Sequence, residues 1–287
     1  MNIKLMKQIC KTTQSQLLNI MNQFLIDRYG KDKVLATKEY IIVRGTDPVA
    51  LVAHLDTVSS YPPTDIYYDN KEQVMWSPDL LGADDRAGIY AIIQLIEKGY
   101  KPHIILTTDE EKGCLGSKQF IKDFPYSPFE KLKILIQLDR CGAKDSVFYD
   151  CDNKGFERYI NRFGFKTAIG TFSDISVIAP EWGVAAVNLS VGYYLEHSNA
   201  EYLKCKELDA TIKKVSKILD KAEQMKFYKY IPRKYTYNNN IVLNDFQCCI
   251  CGKIVQFNDA VITPDYNITC KECYDMCYNV GADFKIV

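Results

Sequence analysis

Leu17, Leu18, Met21, Phe24 and Leu25 recur at helical spacing and predict an amphipathic helix over 5–29, stopped at Gly30. The period then changes. Residues 33–36 and 40–43 read as short strands, and 50–53 is apolar throughout, as a strand buried on both faces should be. A Pro- and Tyr-rich loop is expected over 59–78. Ile89, Ile92, Ile93 and Ile96 line one face of a helix over 87–98, ended by Gly99. A second buried strand follows over 103–108, then a helix over 117–123 and a strand over 132–138. Further on, 146–149 and 185–189 read as strands and 155–163 as a helix. An amphipathic helix is expected over 205–226, through Leu208, Ile212, Val215, Ile218 and Leu219.

Strand, loop and helix alternate, which implies a mostly parallel mixed sheet with helices on both faces, a three-layer α/β/α fold. Open α/β sheets place their chemistry beyond the carboxyl ends of the strands. The polar signals fall there: His54 and Asp56 after one strand, Asp109-Glu110-Glu111 after the next, Asp139 after a third, and Glu196-His197-Ser198 after 185–189. The Tyr- and Lys-rich stretch 228–243 reads as a linker. It divides a domain over 1–227 from a small module over 244–287.

Composition narrows the class. The 287 residues suffice for one α/β domain and an appendage, and 47% hydrophobic with 25% charged is ordinary for a globular chain. A formal net charge of +0 gives no field to draw nucleic acid or an anionic membrane, so neither is expected as a partner. No apolar run approaches the ~20 residues of a membrane span. The polar stretch 11–16 also interrupts any signal-like core, so a cytoplasmic location is expected.

Zinc takes imidazole nitrogen and carboxylate oxygen, and a catalytic zinc keeps a position open. Two ions ~3.5–4 Å apart need a shared carboxylate and about two further ligands each. His54, Asp84, Glu111, Asp139 and His197 supply that set, and two of the chain's three histidines are in it. His103, at the start of a strand with no partner motif, reads as structural. Asp85 and Arg86 could be turn and helix-start residues, and Asp109 a turn or support residue. Glu196 could support His197 or face solvent.

Five segments carry a resemblance in sequence order. They are Leu51-Val52-Ala53-His54-Leu55-Asp56-Thr57-Val58, Leu81-Gly82-Ala83-Asp84-Asp85-Arg86-Ala87-Gly88, Thr108-Asp109-Glu110-Glu111-Lys112-Gly113, Leu138-Asp139-Arg140 and Glu196-His197-Ser198. Together they resemble the motifs of the co-catalytic di-zinc exopeptidases, which include zinc aminopeptidases, bacterial tripeptidases and carboxypeptidase-like deacylases. The stretches between His54 and Asp84 and between Asp139 and His197 leave no room for a lid domain of the usual size. The likeness is therefore to the compact aminopeptidases. It implies that His54 binds one zinc, that Asp84 bridges both, that Glu111 and Asp139 each ligate one, and that His197 completes the second. It further implies that Asp56 fixes the ring of His54, that Glu110 is the general base, that the Asp84-Asp85 peptide is cis, and that Asp174 shapes the substrate pocket. Asp174 could equally belong to a helix cap.

Six of the eleven cysteines fall between Cys248 and Cys277. Cys248, Cys251, Cys270 and Cys273 form two C-x-x-C pairs 18 residues apart, the spacing of a zinc-ribbon-like four-cysteine site holding one structural zinc. Cys249 and Cys277 read as bystanders. Such a short module builds little core, so its metal supplies most of its folding energy. It reads as a stabilising cap or a contact for a protein partner.

The expected function is metal-dependent hydrolysis of a peptide or small amide by two zinc ions, as an aminopeptidase; cobalt or manganese would also suit the donor set. An N-acyl or amide deacylase on the same fold is one alternative. A zinc-ribbon binding protein with the hydrolase fold as scaffold is the other.

Overall fold

Thr13 and Gln16 divide the single helix expected at the N-terminus. In this computed structural model, which describes residues 1–233, 245–248, 253–256, 260–262 and 268–278, α1 (Ile3–Cys10) ends at Lys11 and α2 (Gln14–Tyr29) starts afresh. Thr13 Oγ1 accepts from Gln16 N, and Gln16 Oε1 accepts from Thr13 N. This capping box starts a new helix within an apolar period that looks continuous on paper.

The first compact unit spans Met1–Arg233. It continues with β1 (Val34–Ala36), β2 (Tyr40–Val43), β3 (Asp47–His54), β4 (Tyr67–Asp69), β5 (Val74–Trp76), α3 (Ala83–Glu97), β6 (Pro102–Thr107) and α4 (Leu115–Asp123). Then come β7 (Ile134–Arg140), β8 (Asp145–Val147), α5 (Lys154–Asn161), β9 (Lys166–Ala168), α6 (Asp174–Trp182), β10 (Ala186–Ser190), β11 (Tyr193–Tyr194), β12 (Tyr202–Lys204) and α7 (Cys205–Leu219). The main sheet runs β1-β2-β6-β3-β7-β10-β8-β9. Its centre, β6-β3-β7-β10, is parallel, while β2 and β8 join it antiparallel.

Alternation along β3 separates two cores. Val49, Leu51 and Ala53 pack with α1, α2, α3, α5 and α7, whereas Ala50 and Val52 face α4 and α6. The fold is therefore the three-layer α/β/α arrangement. Residues 228–233 hold to this unit: Lys229 bridges Val184 and Pro232 bridges Cys151. The compact unit accordingly extends past the point where a linker is expected.

A second sheet, β11-β12-β5-β4, is antiparallel throughout. Its β4–β5 hairpin lies inside the stretch expected to be loop. The two hairpin strands have three residues each, too few for an alternation to register, and Tyr67 stacks on Trp76 at 4.8 Å on an exposed face.

Strand register fixes the level of the site. His54 is paired with Thr107 of β6, and Val52 with Gln137 of β7. His54, the turn after Thr107, and Asp139 therefore leave the sheet side by side. Helix α3 closes on them because Gly88 lets it approach: a Cβ there would lie 2.2 Å from Leu138 O.

In the second unit, Lys234–Val287, β13 (Asp245–Gln247) pairs with β14 (Ile254–Gln256) and β15 (Ala260–Ile262) with β16 (Ile268–Cys270), both antiparallel. Helix α8 (Lys271–Tyr278) follows. Cys248, Val255, Cys270 and Cys273 are buried together. No described helix is long and apolar enough to cross a membrane.

Candidate metal centre

His54, the last residue of β3, is held from both ends. Its backbone N donates to Asp85 Oδ2 at 3.1 Å, and its Nδ1 lies 3.3 Å from Asp56 Oδ1, close enough for an ion pair but not aligned as a hydrogen bond. Its Nε2 is 3.2 Å from Asp84 Oδ1 and 3.5 Å from Asp139 Oδ1.

Asp84 stands in the turn before the regular part of α3, where Gly82 supplies a positive φ of 69° and the Asp84-Asp85 peptide is cis. Its second oxygen, Oδ2, is 3.2 Å from His197 Nε2, and that nitrogen is 3.0 Å from Glu111 Oε1. One carboxylate thus faces two imidazoles, one on each oxygen. The side chain of His197 is 50% exposed and marks the open edge of the group, while His54 is sealed.

Asp56 organises the paired glutamates. Its Oδ1 accepts from Glu110 N at 3.1 Å and its Oδ2 from Glu111 N at 3.0 Å. Glu110 Oε1 receives the Cys114 thiol at 3.6 Å. On the other side, Asp139 Oδ2 accepts from Gln137 Nε2 at 2.9 Å and from Ser173 Oγ at 3.0 Å. Asn188 Oδ1 accepts from Asp139 N at 2.9 Å, and its Nδ2 donates to Asp139 O at 3.1 Å.

The electrostatics call for a cation. Burial works against charge on His54, yet Asp139, Asp56 and Asp84 hold its imidazole well above the ordinary range. Asp84 and Glu111 raise His197 to about 11. Burial alone would raise Asp84, but His197 and His54 hold it well below the carboxylate range. Burial, together with the charge on Asp84, pushes Asp139 up to about 7. Burial pushes Glu110 up to about 9, with the charges of Asp139, Asp174 and Glu111 adding to it. Carboxylates outnumber imidazoles, and divalent ions would relieve that excess where ligating nitrogens and oxygens already converge. Ligand atoms of His54, Asp84 and Glu111 lie within 4.8 Å of one another, as do those of His54, Asp85 and Asp139. Both oxygens of Asp85 are also engaged with backbone: Oδ2 accepts from His54 N, and Oδ1 from Gly88 N at 2.9 Å.

Residues 40–174 match the model of Peptidase family M28. The fold is similar to that of aminopeptidase PepT from Bacillus cereus, at 15% identity over 77% of this chain and 98% of that one, with a TM-score of 0.59. It is also similar to a tripeptidase from Staphylococcus aureus (14% identity, 77% and 97% covered, TM-score 0.63) and an aminopeptidase from the archaeon Desulfurococcus kamchatkensis (13%, 77% and 94%, 0.59). This chain is a metallopeptidase. No curated protein matches its sequence.

Other residues of the metallopeptidase fall as follows. Asp109 is a support: its N donates to Gln14 Oε1 at 3.1 Å and its side chain pairs with Lys112 at 2.8 Å. Arg86 is buried, donating to Leu55 O and, at 2.9 Å, to Thr12 O. Asp174 is fully buried at the start of α6, where Ser173 is the cap, and its Oδ2 accepts from Thr107 Oγ1 at 2.6 Å. Glu196 is half-buried beside the Cys141 thiol. His103 lies away from the group, stacked 4.2 Å from Phe129.

The sequence reading missed Gln137, Asn188 and Glu201. Gln137 and Asn188 carried a signal, a single amide inside an otherwise apolar buried strand, since such a group needs a partner. Glu201 carried none. In the second unit, ligand atoms of Cys248, Cys270 and Cys273 lie within 4.8 Å of one another, and Cys251 falls outside the described residues.

Proposed function

We propose that the chain is a two-zinc aminopeptidase acting on a peptide or small amide with a free amino terminus. The observation that carries this reading is Asp84, with one oxygen 3.2 Å from His54 Nε2 and the other 3.2 Å from His197 Nε2. In this reading His54 and Asp139 hold one ion, His197 and Glu111 the other, and Asp84 both. Zinc suits these donors, and cobalt or manganese would be accepted by the same set. When bound, the ions would polarise the scissile carbonyl and lower the pKa of the attacking water.

Glu110 moves the proton. With the ions bound, their charge would draw Glu110 down to the carboxylate form, which would take a proton from water as the C–O bond forms and give it to the amine nitrogen as the C–N bond breaks. Asp56 holds both amides of the Glu110-Glu111 pair; in this reading Glu111 would face the ions and Glu110 the substrate. The Cys114 thiol restrains the Glu110 carboxylate, which is half-buried.

Cys248, Cys251, Cys270 and Cys273 would hold a third, structural zinc in a module that caps the chain or receives a protein partner. A cytoplasmic setting would keep the thiols of Cys10, Cys114, Cys141, Cys151 and Cys205 reduced.

Elemental analysis and hydrolysis assays of wild type and Glu110→Gln, with aminoacyl amides and their N-acetylated counterparts, test the reading. Both proteins should carry about three zinc ions per chain. Wild type should cleave only the free-amine substrates, and Glu110→Gln should lower kcat by about 10²–10⁴-fold. Cleavage of the acetylated series alone would move the activity to an amide deacylase. About one zinc, with no hydrolysis by either protein, would leave a zinc-binding module on a hydrolase scaffold.

A further inference from the structure

The turn Gly82-Ala83-Asp84 is held by a residue that none of the metal-ligand motifs contains. Glu201 is 1% exposed; its Oε2 accepts from Gly82 N at 2.6 Å and its Oε1 from Asp84 N at 3.0 Å. Its own backbone belongs to the other side of the site: Glu201 N donates to Ser198 O at 3.0 Å, closing the turn that follows His197. β12 then anchors that turn by pairing with β5. One side chain therefore ties the loop carrying Asp84 to the loop carrying His197, which meet at 3.2 Å.

A buried carboxylate is a costly way to cap a turn. Charge-assisted bonds to two amides offset the desolvation, but a smaller neutral acceptor would satisfy one amide at far less cost. What the carboxylate adds is a bidentate grip, which sets the orientation of the peptide between Gly82 and Asp84 and so the direction of the Asp84 side chain.

We propose that Glu201 is a positioning residue for the metal centre: through the Gly82 and Asp84 amides it fixes the separation of Asp84 and His197 at which both reach one cation. The inference rests on the two-metal reading. Both Glu201 oxygens are taken up by backbone amides, and Glu201 is not among the groups whose ligand atoms converge. In Glu201→Gln the amide group would face one of the two N–H donors, so one bond is lost while volume and burial are kept.

The test measures bound zinc per chain against buffered free zinc for full-length wild type, Asp84→Asn and Glu201→Gln, with thermal unfolding of each metal-free protein. Asp84→Asn should lose zinc outright, which identifies the part of the curve that belongs to this centre. If it loses none, the two-metal reading itself fails. Glu201→Gln should bind the same number of ions at saturation, with that part of the curve shifted about 10–100-fold to higher free zinc. A wild-type curve with only a lower unfolding temperature would make Glu201 a plain turn anchor and overturn the inference. If Glu201→Gln does not fold, Glu201→Asp keeps the charge but retracts it by one methylene: a shifted curve again supports the role, and an unshifted one overturns it.

Discussion

Two of the three histidines sit among carboxylates and the third is buried against a phenyl ring, and the difference sets how each titrates. His103 is buried at the start of β6, stacked on Phe129, with its Nδ1 accepting from Gly45 N at 3.0 Å. Burial lowers its pKa from 6.5 to about 4. The folded state therefore binds fewer protons than the unfolded one between these values. The stabilising contribution is complete above about 6.5, drains away as pH falls towards 4, and amounts to on the order of 3 kcal/mol. His103→Asn keeps an acceptor for Gly45 and removes the titration. The stability gap between wild type and variant, measured by urea unfolding, should narrow by about 2–3 kcal/mol from pH 7.5 to pH 4.5. A gap independent of pH would mean that His103 titrates alike in the folded and the unfolded chain. Legibility at this scale follows the same division. Residues that would meet a cation stand in motifs, because the chemistry restricts them to a few residue types at strand ends. Of the residues that only brace the ligands, Asn188 on Asp139 shows itself as a lone amide in an apolar strand, whereas Glu201 on the Asp84 turn is fixed by a distant contact that leaves no local pattern.

At the scale of elements, the buried strands and helices were readable and the joints between them were not. Strands β3, β6 and β7 announce themselves as short apolar runs, and α3 by its isoleucines, because burial on one face or two imposes a period. The break between α1 and α2 and the β4–β5 hairpin depend on single caps or on partners far along the chain, whereas the start of α6 was marked by the cap signal at Asp174. The contact between α3 and β7 shows how tightly one joint is set. Helix propensity alone says that Gly88→Ala should stabilise α3 by about 1 kcal/mol. The new Cβ would instead stand 2.2 Å from Leu138 O and 2.3 Å from Asp85 Oδ1, with Asp139 and His54 directly behind those atoms. We expect Gly88→Ala to lower stability by about 1–3 kcal/mol in thermal or urea unfolding, and to release zinc at lower chelator concentration. A stabilised variant with unchanged zinc retention would show that α3 and β7 have slack between them.

At the scale of the whole molecule, each unit has its own source of stability. Met1–Arg233 carries two large apolar cores, one on each face of the sheet, whereas the described buried core of the second unit consists of Cys248, Val255, Cys270 and Cys273. A described core that small fits the proposal that a metal held by the cysteines supplies the second unit's folding energy. The two units should then respond differently to metal loss. A strong chelator should unfold the second unit outright, and should leave the first folded but inactive with a lowered Tm, since its ligands become an unrelieved cluster of buried charge. Ending the chain after Arg233 keeps the 228–233 segment that bridges Val184 and Cys151. The shortened protein should retain the high-temperature transition and the hydrolysis, and lose about one zinc ion. Scanning calorimetry of full-length and shortened chains, with and without chelator, reads all of these together. If the shortened chain keeps its transition but loses hydrolysis with its remaining zinc intact, the cysteine module takes part in substrate binding; if it fails to fold, the module is part of the first unit's core.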